Sequence, residues 1–296
     1  GVPRDNGWFQ LAIDDSETGQ PVGDLAIELS FDGRCADIGY TVTPAARGRQ
    51  IATDTASLVA RWLFERVGVS RVGAQMHPDN LASVRVAERI GMVHEGQTRR
   101  SFWIGNDNSD TTLYGMTASD WEAWSGRPRG RPAEVSLVEI TSTRVGEVLA
   151  LRTHHSQRRL VAPVAEWFGS VYAPGDHRPW LAGVAADGEL VGALLMALPD
   201  DDGVAAIWRV MVDRVHQGRG IGRAALDLAV ERARSWRASS LTVSWHDVRG
   251  GAGGFFERYG LDVERVDDGE VIGRLSLPAS APRDSPGAST ESAFEN

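Results

Sequence analysis

The chain has 296 residues, enough for about two domains, and carries 40 acidic against 31 basic residues, a net charge of -9. Every basic residue is arginine, which excludes Schiff-base chemistry and a P-loop lysine, and the acidic balance argues against a nucleic-acid-binding protein. The single cysteine excludes an internal disulfide and a multi-cysteine metal site, and no metal site is expected. The sequence has no run of about 18 apolar residues, so it predicts no membrane-spanning helix. It also shows no signal-peptide pattern, and we therefore expect a cytoplasmic protein.

Two segments without apolar periodicity divide the chain. Residues 125–134 are rich in Gly, Pro and Arg, which is typical of a linker. Residues 278–296 are rich in Pro, Ser and Ala, which is typical of a disordered tail. We therefore expect two domains, at residues 1–124 and 135–277.

The two expected domains repeat one pattern of strand, glycine- and arginine-containing turn, amphipathic helix and strand. In the first domain these elements fall at residues 36–42, 47–52, 56–67 and 72–76. In the second domain they fall at residues 207–212, 217–222, 225–236 and 241–245. A further helix follows in each, over 82–90 and 255–259, and a glycine ends it. This alternation predicts the α/β class with a mixed or parallel sheet in each domain, and a duplicated domain is the simplest explanation.

The strongest signal for function is the turn over residues 217–223, at a strand-to-helix junction. Its glycines permit positive φ and the close approach of an anion, and they are Gly218, Gly220 and Gly222. The first helical turn adds unpaired N–H groups at the positive end of the helix dipole, and Arg219 and Arg223 add charge for phosphate oxygens. The turn lacks the Gly-Lys-Ser/Thr of a P-loop and the acidic residue of a dinucleotide fingerprint, so we predict a pyrophosphate cradle of another kind.

The segment Gln217-Gly218-Arg219-Gly220-Ile221-Gly222, which follows Val212-Asp213, resembles the Gln/Arg-x-x-Gly-x-Gly/Ala motif of the GCN5-related N-acetyltransferases (GNAT). Residues 135–277 are similar along their length to the diamine and polyamine acetyltransferase branch. Residues 8–121 resemble the RimJ/RimL-like, ribosomal-protein branch, notably at His77–Val86 and Leu113–Met116. The resemblance implies two tandem GNAT folds, each built on a mixed α+β sheet, with acetyl-CoA as the co-substrate.

The resemblance also implies a reaction and a set of binding residues for the second domain. The reaction is direct transfer of an acetyl group to the primary amine of a small, polyamine-like molecule. The diphosphate would be held by residues 217–223. The strand N–H groups for the pantetheine arm and the acetyl carbonyl would come from Val210, Met211 and Val212. A small-molecule amine is the expected partner, nucleic acid and membranes are not, and a homodimer is left open.

Two other functions remain open at this point. One is a non-catalytic protein that binds or senses acyl-CoA. The other is acetylation of N-terminal peptides by the first domain.

The second domain departs from the family at the position of its usual general acid. Alignment of residues 255–261 places Phe256 where the family often has a tyrosine that protonates the leaving thiolate. Tyr259 on the same helix and His246 after the preceding strand are the candidates for proton transfer; the alternatives are a packing tyrosine and a loop histidine. The candidates for binding a cationic acceptor are Glu166 and Asp176.

The first domain departs further, because Gln50 takes the place of the central glycine, where a side chain would crowd a pyrophosphate. Seven residues precede Trp8, whereas the family has a strand and two helices there that build the acceptor side. We therefore expect a degenerate partner domain. A second CoA site is left open in it, and its candidate residues are Arg47, Arg49, Asn80 and Ser83.

Overall fold

The computed structural model describes residues 6–172, 178–248 and 251–278, which form two mixed sheets of six and seven strands. The predicted mixed α/β class is confirmed. The strands of the first sheet are β1 (Gly7–Asp14), β2 (Pro21–Ser30), β3 (Cys35–Val42), β4 (Arg71–Met76), β5 (Val93–Ile104) and β6 (Asp107–Thr117). Its helices are α1 (Ile51–Trp62), α2 (Leu81–Arg89) and α3 (Ala118–Gly126).

The second sheet begins after a connection over residues 127–134. Its strands are β7 (Val135–Val138), β8 (Pro179–Ala186), β9 (Glu189–Ala197), β10 (Val204–Val212), β11 (Ser240–His246), β12 (Asp262–Asp267) and β13 (Glu270–Ser276). Its helices are α4 (Val145–Ala150), α5 (Val164–Tyr172), α6 (Ile221–Ser235) and α7 (Gly253–Tyr259). The domain boundaries drawn from the sequence remain predictions, and residues 279–296, where a disordered tail is predicted, lie outside the described residues.

Each sheet contains a parallel pair of neighbouring strands that diverge soon after they begin. The first sheet has the order β1-β2-β3-β4-β6-β5 and the second β12-β13-β11-β10-β9-β8-β7. β3 and β4 pair in parallel only from Cys35–Asp37 to Arg71–Gly73. β10 and β11 pair only from Val204–Ile207 to Ser240–Val243. Beyond these residues each pair opens into a wedge between two strands.

The two sheets are covered differently. In the first, the buried side chains of β2 and β3 pack with α1 and α2 in one cluster, and the other face of β2 carries half-buried Asp24 and Glu28. In the second, α6 packs on one face, and α4 and α5 pack on the other. Alanines of α6 are buried every four residues, which brings this helix close to the sheet, at Ala225, Ala229 and Ala233. None of the helices in the described residues is long and apolar enough to cross a membrane.

Candidate functional site

The wedge of the second sheet opens beside a β-bulge in β10. Ile207 lies opposite Met196 of β9, but Arg209 lies opposite Leu195, so Trp208 is the extra residue. Such bulges bend a strand, re-aim its side chains and are frequent next to active sites. β2 and β3 of the first sheet pair without a register shift, so the corresponding strand of the first domain lacks this bend.

The turn after β10 presents a run of free backbone N–H groups. From Gln217 to Arg223 no backbone N–H has an acceptor within the described residues, and the first intrahelical bond is donated by Ala224 N to Gly220 O at 3.2 Å. Gly218 and Gly220 hold φ values of 79° and 82°, which an L side chain adopts only with strain. Seven consecutive donors at the N-terminus of α6 can bind a diphosphate.

The start of α6 is fixed by Ile221 of the predicted motif, which is buried in the cluster between α6 and the sheet. Gly222 leaves space beside the Phe255 ring, which would lie 3.5 Å from a Cβ there. The burial of Ile221 holds the first turn of α6 in place while its N–H groups remain free.

The guanidinium of Arg219, which was predicted to bind a phosphate, has protein partners in the structure. Its side chain is buried, Nε donates to Gly130 O at 2.8 Å, and Nη1 lies 2.9 Å from His216 Nδ1. Arg219 thus fastens the interdomain linker to the turn. The linker thereby places Arg131 beside the turn. Arg131 Nε lies 3.7 Å from the position that a Cβ on Gly220 would occupy. The sequence analysis missed Arg131, whose only signal was an arginine-rich linker.

Gln217 and the end of β10 also have structural partners. The Gln217 amide donates to Val212 O at 3.0 Å and pairs with the Gln157 amide through bonds of 2.9 and 3.2 Å. Met211 is buried with α4 and α5, whereas Val210 and Val212 pack on the α6 side. The side chains therefore anchor the strand to both layers, and the backbone edge is what faces the wedge.

Tyr259 lies against α6 rather than in the wedge. Its hydroxyl donates to Asp227 Oδ1 at 2.8 Å, and burial together with this carboxylate raises the pKa of Tyr259 well above its usual range. Exposed Arg223 covers the ring, with Cζ 5.3 Å from the ring centroid. These contacts favour the packing alternative for Tyr259, and they place Arg223 between the turn and α7.

His246 is the last residue of β11 and is exposed. Leu241, Val243 and Trp245 of the same strand are buried in the cluster with α6. Because side chains alternate along a strand, His246 lies on the opposite face, the one that α4 and α5 cover. His246 therefore remains a candidate for proton transfer at the end of the wedge.

Phe256 is a core residue. It is buried and stacks on Trp245 with ring centroids 5.3 Å apart. A Cβ on Gly253 or on Gly273 would come within 2.8 Å of the Trp245 indole, so these two glycines make room for this tryptophan. The position of the family's usual acid thus carries an apolar ring. Glu166 is exposed on α5, whereas Asp176 lies outside the described residues.

The corresponding turn of the first domain keeps the same backbone shape despite its glutamine. Gly48 and Gln50 have φ values of 79° and 64°, and no N–H from Gly48 to Thr53 has an acceptor within the described part of the chain. The Gln50 side chain is exposed. A cavity of about 160 Å³ adjoins this turn and is lined in part by Val86 and Arg89 of α2.

Three of the four side chains predicted to form a second CoA site have other partners, and Ser83 is bonded through its backbone. Arg49 pairs with Asp15 at 2.7 Å, and Arg47 Nε donates to Val42 O at 3.4 Å. Asn80 caps α2 by accepting from Ser83 N at 3.2 Å. Ser83 O accepts from the Tyr40 hydroxyl at 3.1 Å. A second site therefore stays a prediction, and its support is the free N–H groups rather than these four residues.

A segment of the second domain connects α2 of the first domain to the turn at 217–223. Glu88, only 4% exposed, accepts from Ser156 N at 2.9 Å, from Ser156 Oγ at 2.7 Å and from the Tyr114 hydroxyl at 3.2 Å. The next residue, Gln157, makes the amide pair with Gln217. The first domain thereby braces the turn of the second.

Two histidines complete this contact between the domains. The rings of His94 and His155 stack with centroids 3.5 Å apart and an angle of 7°. Burial lowers the pKa of both rings, Arg158 lowers both further, and His94 lowers that of His155, while Glu88 opposes these effects. The contact therefore favours two neutral rings.

We expect the stability of the chain to fall as the pH drops below about 6.5, the ordinary pKa of histidine. In that window the unfolded chain binds protons that the folded histidines do not, so acid favours unfolding. The part of the loss that comes from His94 and His155 levels off below their lowered folded pKa values. Thermal unfolding at about pH 7.5 and pH 5.5 tests this, with the drop smaller in His155→Gln than in the wild type. His77→Gln, outside the contact, is the control, and an equal drop in all three chains would contradict the expectation.

Two family models match the chain. The model described as "Acetyltransferase (GNAT) domain" matches residues 2–93, and the one described as "Acetyltransferase (GNAT) family" matches residues 143–261. The chain therefore belongs to the GNAT family and carries two of its domains in tandem, which confirms the family predicted from the sequence.

Curated relatives are similar over part of their length. The uncharacterized N-acetyltransferases YnaD and YoaA of Bacillus subtilis are 25% and 30% identical, over 34% and 36% of this chain and 59% and 62% of their own. The putative ribosomal N-acetyltransferase YdaF of that organism, the kind of protein that the first domain resembles, is 29% identical over 30% of this chain and 49% of its own. The chain thus spans about half to three-fifths of these relatives.

Solved structures with similarity include GNAT acetyltransferases. One from Bacillus anthracis is 24% identical with a TM-score of 0.36, covering 37% of this chain and 66% of its own. A chimera of spermidine N-acetyltransferase SpeG from Vibrio cholerae and hSSAT is 18% identical with a TM-score of 0.37, covering 40% and 71%.

Proposed function

We propose that the second domain transfers an acetyl group from acetyl-CoA, the donor that the GNAT family uses, to the primary amine of a small molecule. The observation that carries the proposal is the run of free N–H groups over residues 217–223, next to a wedge that begins at a bulged strand. The diphosphate fits this turn, because Gly220 leaves open the space that a Cβ would fill. The pantetheine arm fits the wedge, because the β10 edge there has no strand partner in the described sheet.

Each part of the site has a role in this reaction. The N–H groups of residues 217–223 and the Arg131 guanidinium hold the diphosphate. The edge of Val210–Val212 offers N–H groups to the acetyl carbonyl and stabilises the negative charge that develops on its oxygen. The donor supplies an activated thioester, so an N–C bond forms as the C–S bond breaks, the amine loses a proton and the sulfur gains one. We assign the amine proton to His246 and the sulfur proton to solvent, since Phe256 has none to give.

Release of free thiol from acetyl-CoA, measured with small monoamines, polyamines and N-terminal peptides, tests the proposal. Turnover with a small amine supports it, and failure to bind acetyl-CoA at all rejects it. A second candidate, an acyl-CoA sensor, is favoured by the buried Phe256 at the place of the usual acid. It predicts tight CoA binding without turnover on any acceptor. Peptide acetylation by the first domain predicts instead that Ser83→Ala lowers activity and Gly220→Asp does not.

Replacing Arg131 by alanine is expected to raise the Kd for CoA about tenfold, because one charge-assisted bond to phosphate is worth about 1.5 kcal/mol. Arg129→Ala is the matched control, since Arg129 is an exposed arginine of the same linker. Calorimetric titration with CoA measures both. An equal loss of affinity in the two variants would mean that only the general charge of the linker matters.

Replacing Tyr259 by phenylalanine is expected to leave kcat within about twofold of wild type and to lower the free energy of unfolding by about 1 kcal/mol, through loss of the bond to Asp227. Steady-state kinetics and urea unfolding measure the two effects. A fall of kcat by about 100-fold with unchanged stability would restore Tyr259 as the acid.

A further inference from the structure

Arg209, beside the bulge, is a half-buried cation without a partner among the described residues. Its Nη1 is buried and makes no hydrogen bond, and no hydrogen bond or ion pair reaches its side chain from any described residue. Removing a charged group from water without a partner is unfavourable, so such a group calls for an explanation. Binding of an anion by Arg209 would explain why this arginine lies there without a protein partner among the described residues.

The bulge decides which way Arg209 points. Ile207 is buried on the α6 side of the sheet, and regular alternation would return the side chain of residue 209 to that side. Trp208 instead packs in the cluster with α4 and α5, and Arg209 lies opposite Leu195, a member of the same cluster. Directly paired residues share a face of the sheet, so the extra residue turns Arg209 toward α4 and α5.

This face is the one left for the acceptor. The turn at 217–223 leads into α6, so a donor held there reaches the wedge from the α6 side. An amine must then attack the carbonyl from the other face, where alternation along β11 also places His246. Arg209 and His246 thus stand on the two strands that border the wedge and on the face that the acceptor approaches.

We propose that Arg209 binds a carboxylate of the acceptor, which makes the substrate a small amine that also carries a carboxylate, such as an amino acid. A guanidinium matches the planar carboxylate with paired donors. A polyamine would add positive charge next to a half-buried cation that has no partner among the described residues, so the polyamine-like acceptor expected from the resemblance is disfavoured. This inference rests on the proposed acetyl transfer and names its substrate class.

The test compares acceptors that differ only by a carboxylate, namely lysine with 1,5-diaminopentane, ornithine with 1,4-diaminobutane, and alanine with ethylamine. Decarboxylation also makes an amine more basic, so the decisive quantity is the change in the ratio of kcat/KM within a pair when Arg209 is replaced. In Arg209→Gln we expect kcat/KM to fall about 10- to 100-fold for the carboxylate-bearing members alone, as the loss of a charged pair predicts. Arg209→Lys should keep part of the preference.

Arg144→Gln is the matched control. Arg144 precedes α4 and is the other arginine of the described residues with a buried, unpartnered Nη1. The inference is wrong if Arg209→Gln leaves the ratios unchanged, lowers both members of a pair equally, or changes them no more than Arg144→Gln does. It is also wrong if the wild type acetylates only the decarboxylated members, a result that would leave the proposed acetyl transfer intact. An unchanged Kd for CoA in Arg209→Gln shows that the variant is folded.

Discussion

Replacing Gly220 by aspartate is expected to raise the Kd of the chain for CoA by about 100-fold or more, equivalent to about 2.7 kcal/mol. Gly220 has a φ of 82°, and the left-handed conformation costs an L residue about 1–2 kcal/mol. The new side chain would also extend toward Arg131 and place a carboxylate among the N–H donors, where it competes with the diphosphate and repels it. Calorimetric titration with CoA measures the loss directly.

Two further glycines serve as controls for this substitution. Gly269 has a φ of 78° with open space around it, in the turn between β12 and β13, so Gly269→Asp introduces the same strain outside the turn at 217–223. Gly48→Asp alters the turn of the first domain. Unchanged CoA affinity in Gly220→Asp, together with a loss in Gly48→Asp, would move the donor site to the first domain.

Replacing Glu88 by alanine is expected to lower the free energy of unfolding by about 3–5 kcal/mol, because a buried carboxylate with charged hydrogen bonds is lost. Ser156 N, Ser156 Oγ and the Tyr114 hydroxyl would all be left without their acceptor. The contact between the domains would loosen, and with it the amide pair that Gln157 makes with Gln217. We therefore expect two separate transitions in urea, faster trypsin cleavage at the arginines of the linker and weaker CoA binding.

Ser156→Ala is the graded control for Glu88→Ala. It removes only the Oγ bond and keeps the backbone bond from Ser156 N, so a loss of about 1 kcal/mol is expected. A single sharp transition and an unchanged trypsin rate in Glu88→Ala would show that the carboxylate does not hold the domains together.

The sequence predicted the repeated strand–turn–helix units because apolar periodicity and turn glycines depend only on residues that are neighbours in the chain. Apolar periodicity located β3, α2, β10 and α6 to within a few residues, and the glycines at 218 and 220 predicted the left-handed residues of the turn. The helix predicted over 56–67 begins earlier, as α1, and ends in a π-helical turn at Leu63–Val67, since several of its apolar side chains continue past the last α-helical residue.

What the sequence could not predict depends on contacts between distant residues or on the direction of a side chain. Arg219 was expected at a phosphate, but its bond to Gly130 joins residues 89 positions apart. Arg209 went unnoticed because strict alternation places it on the α6 side, and a single bulged residue reverses that assignment. The alignment found Phe256 and Tyr259 but could not tell that Tyr259 is bonded to Asp227.

The left-handed Gln50 shows what determines the shape of the two turns. Both turns have the same pattern of φ values, although only one has glycine at the last position. The path from the strand to its helix therefore imposes this conformation, and glycine only makes it easier to adopt. The shape of the turn thus survives a change of side chain at its last position, and the first domain presents its free N–H groups beside an exposed amide side chain that the second domain lacks.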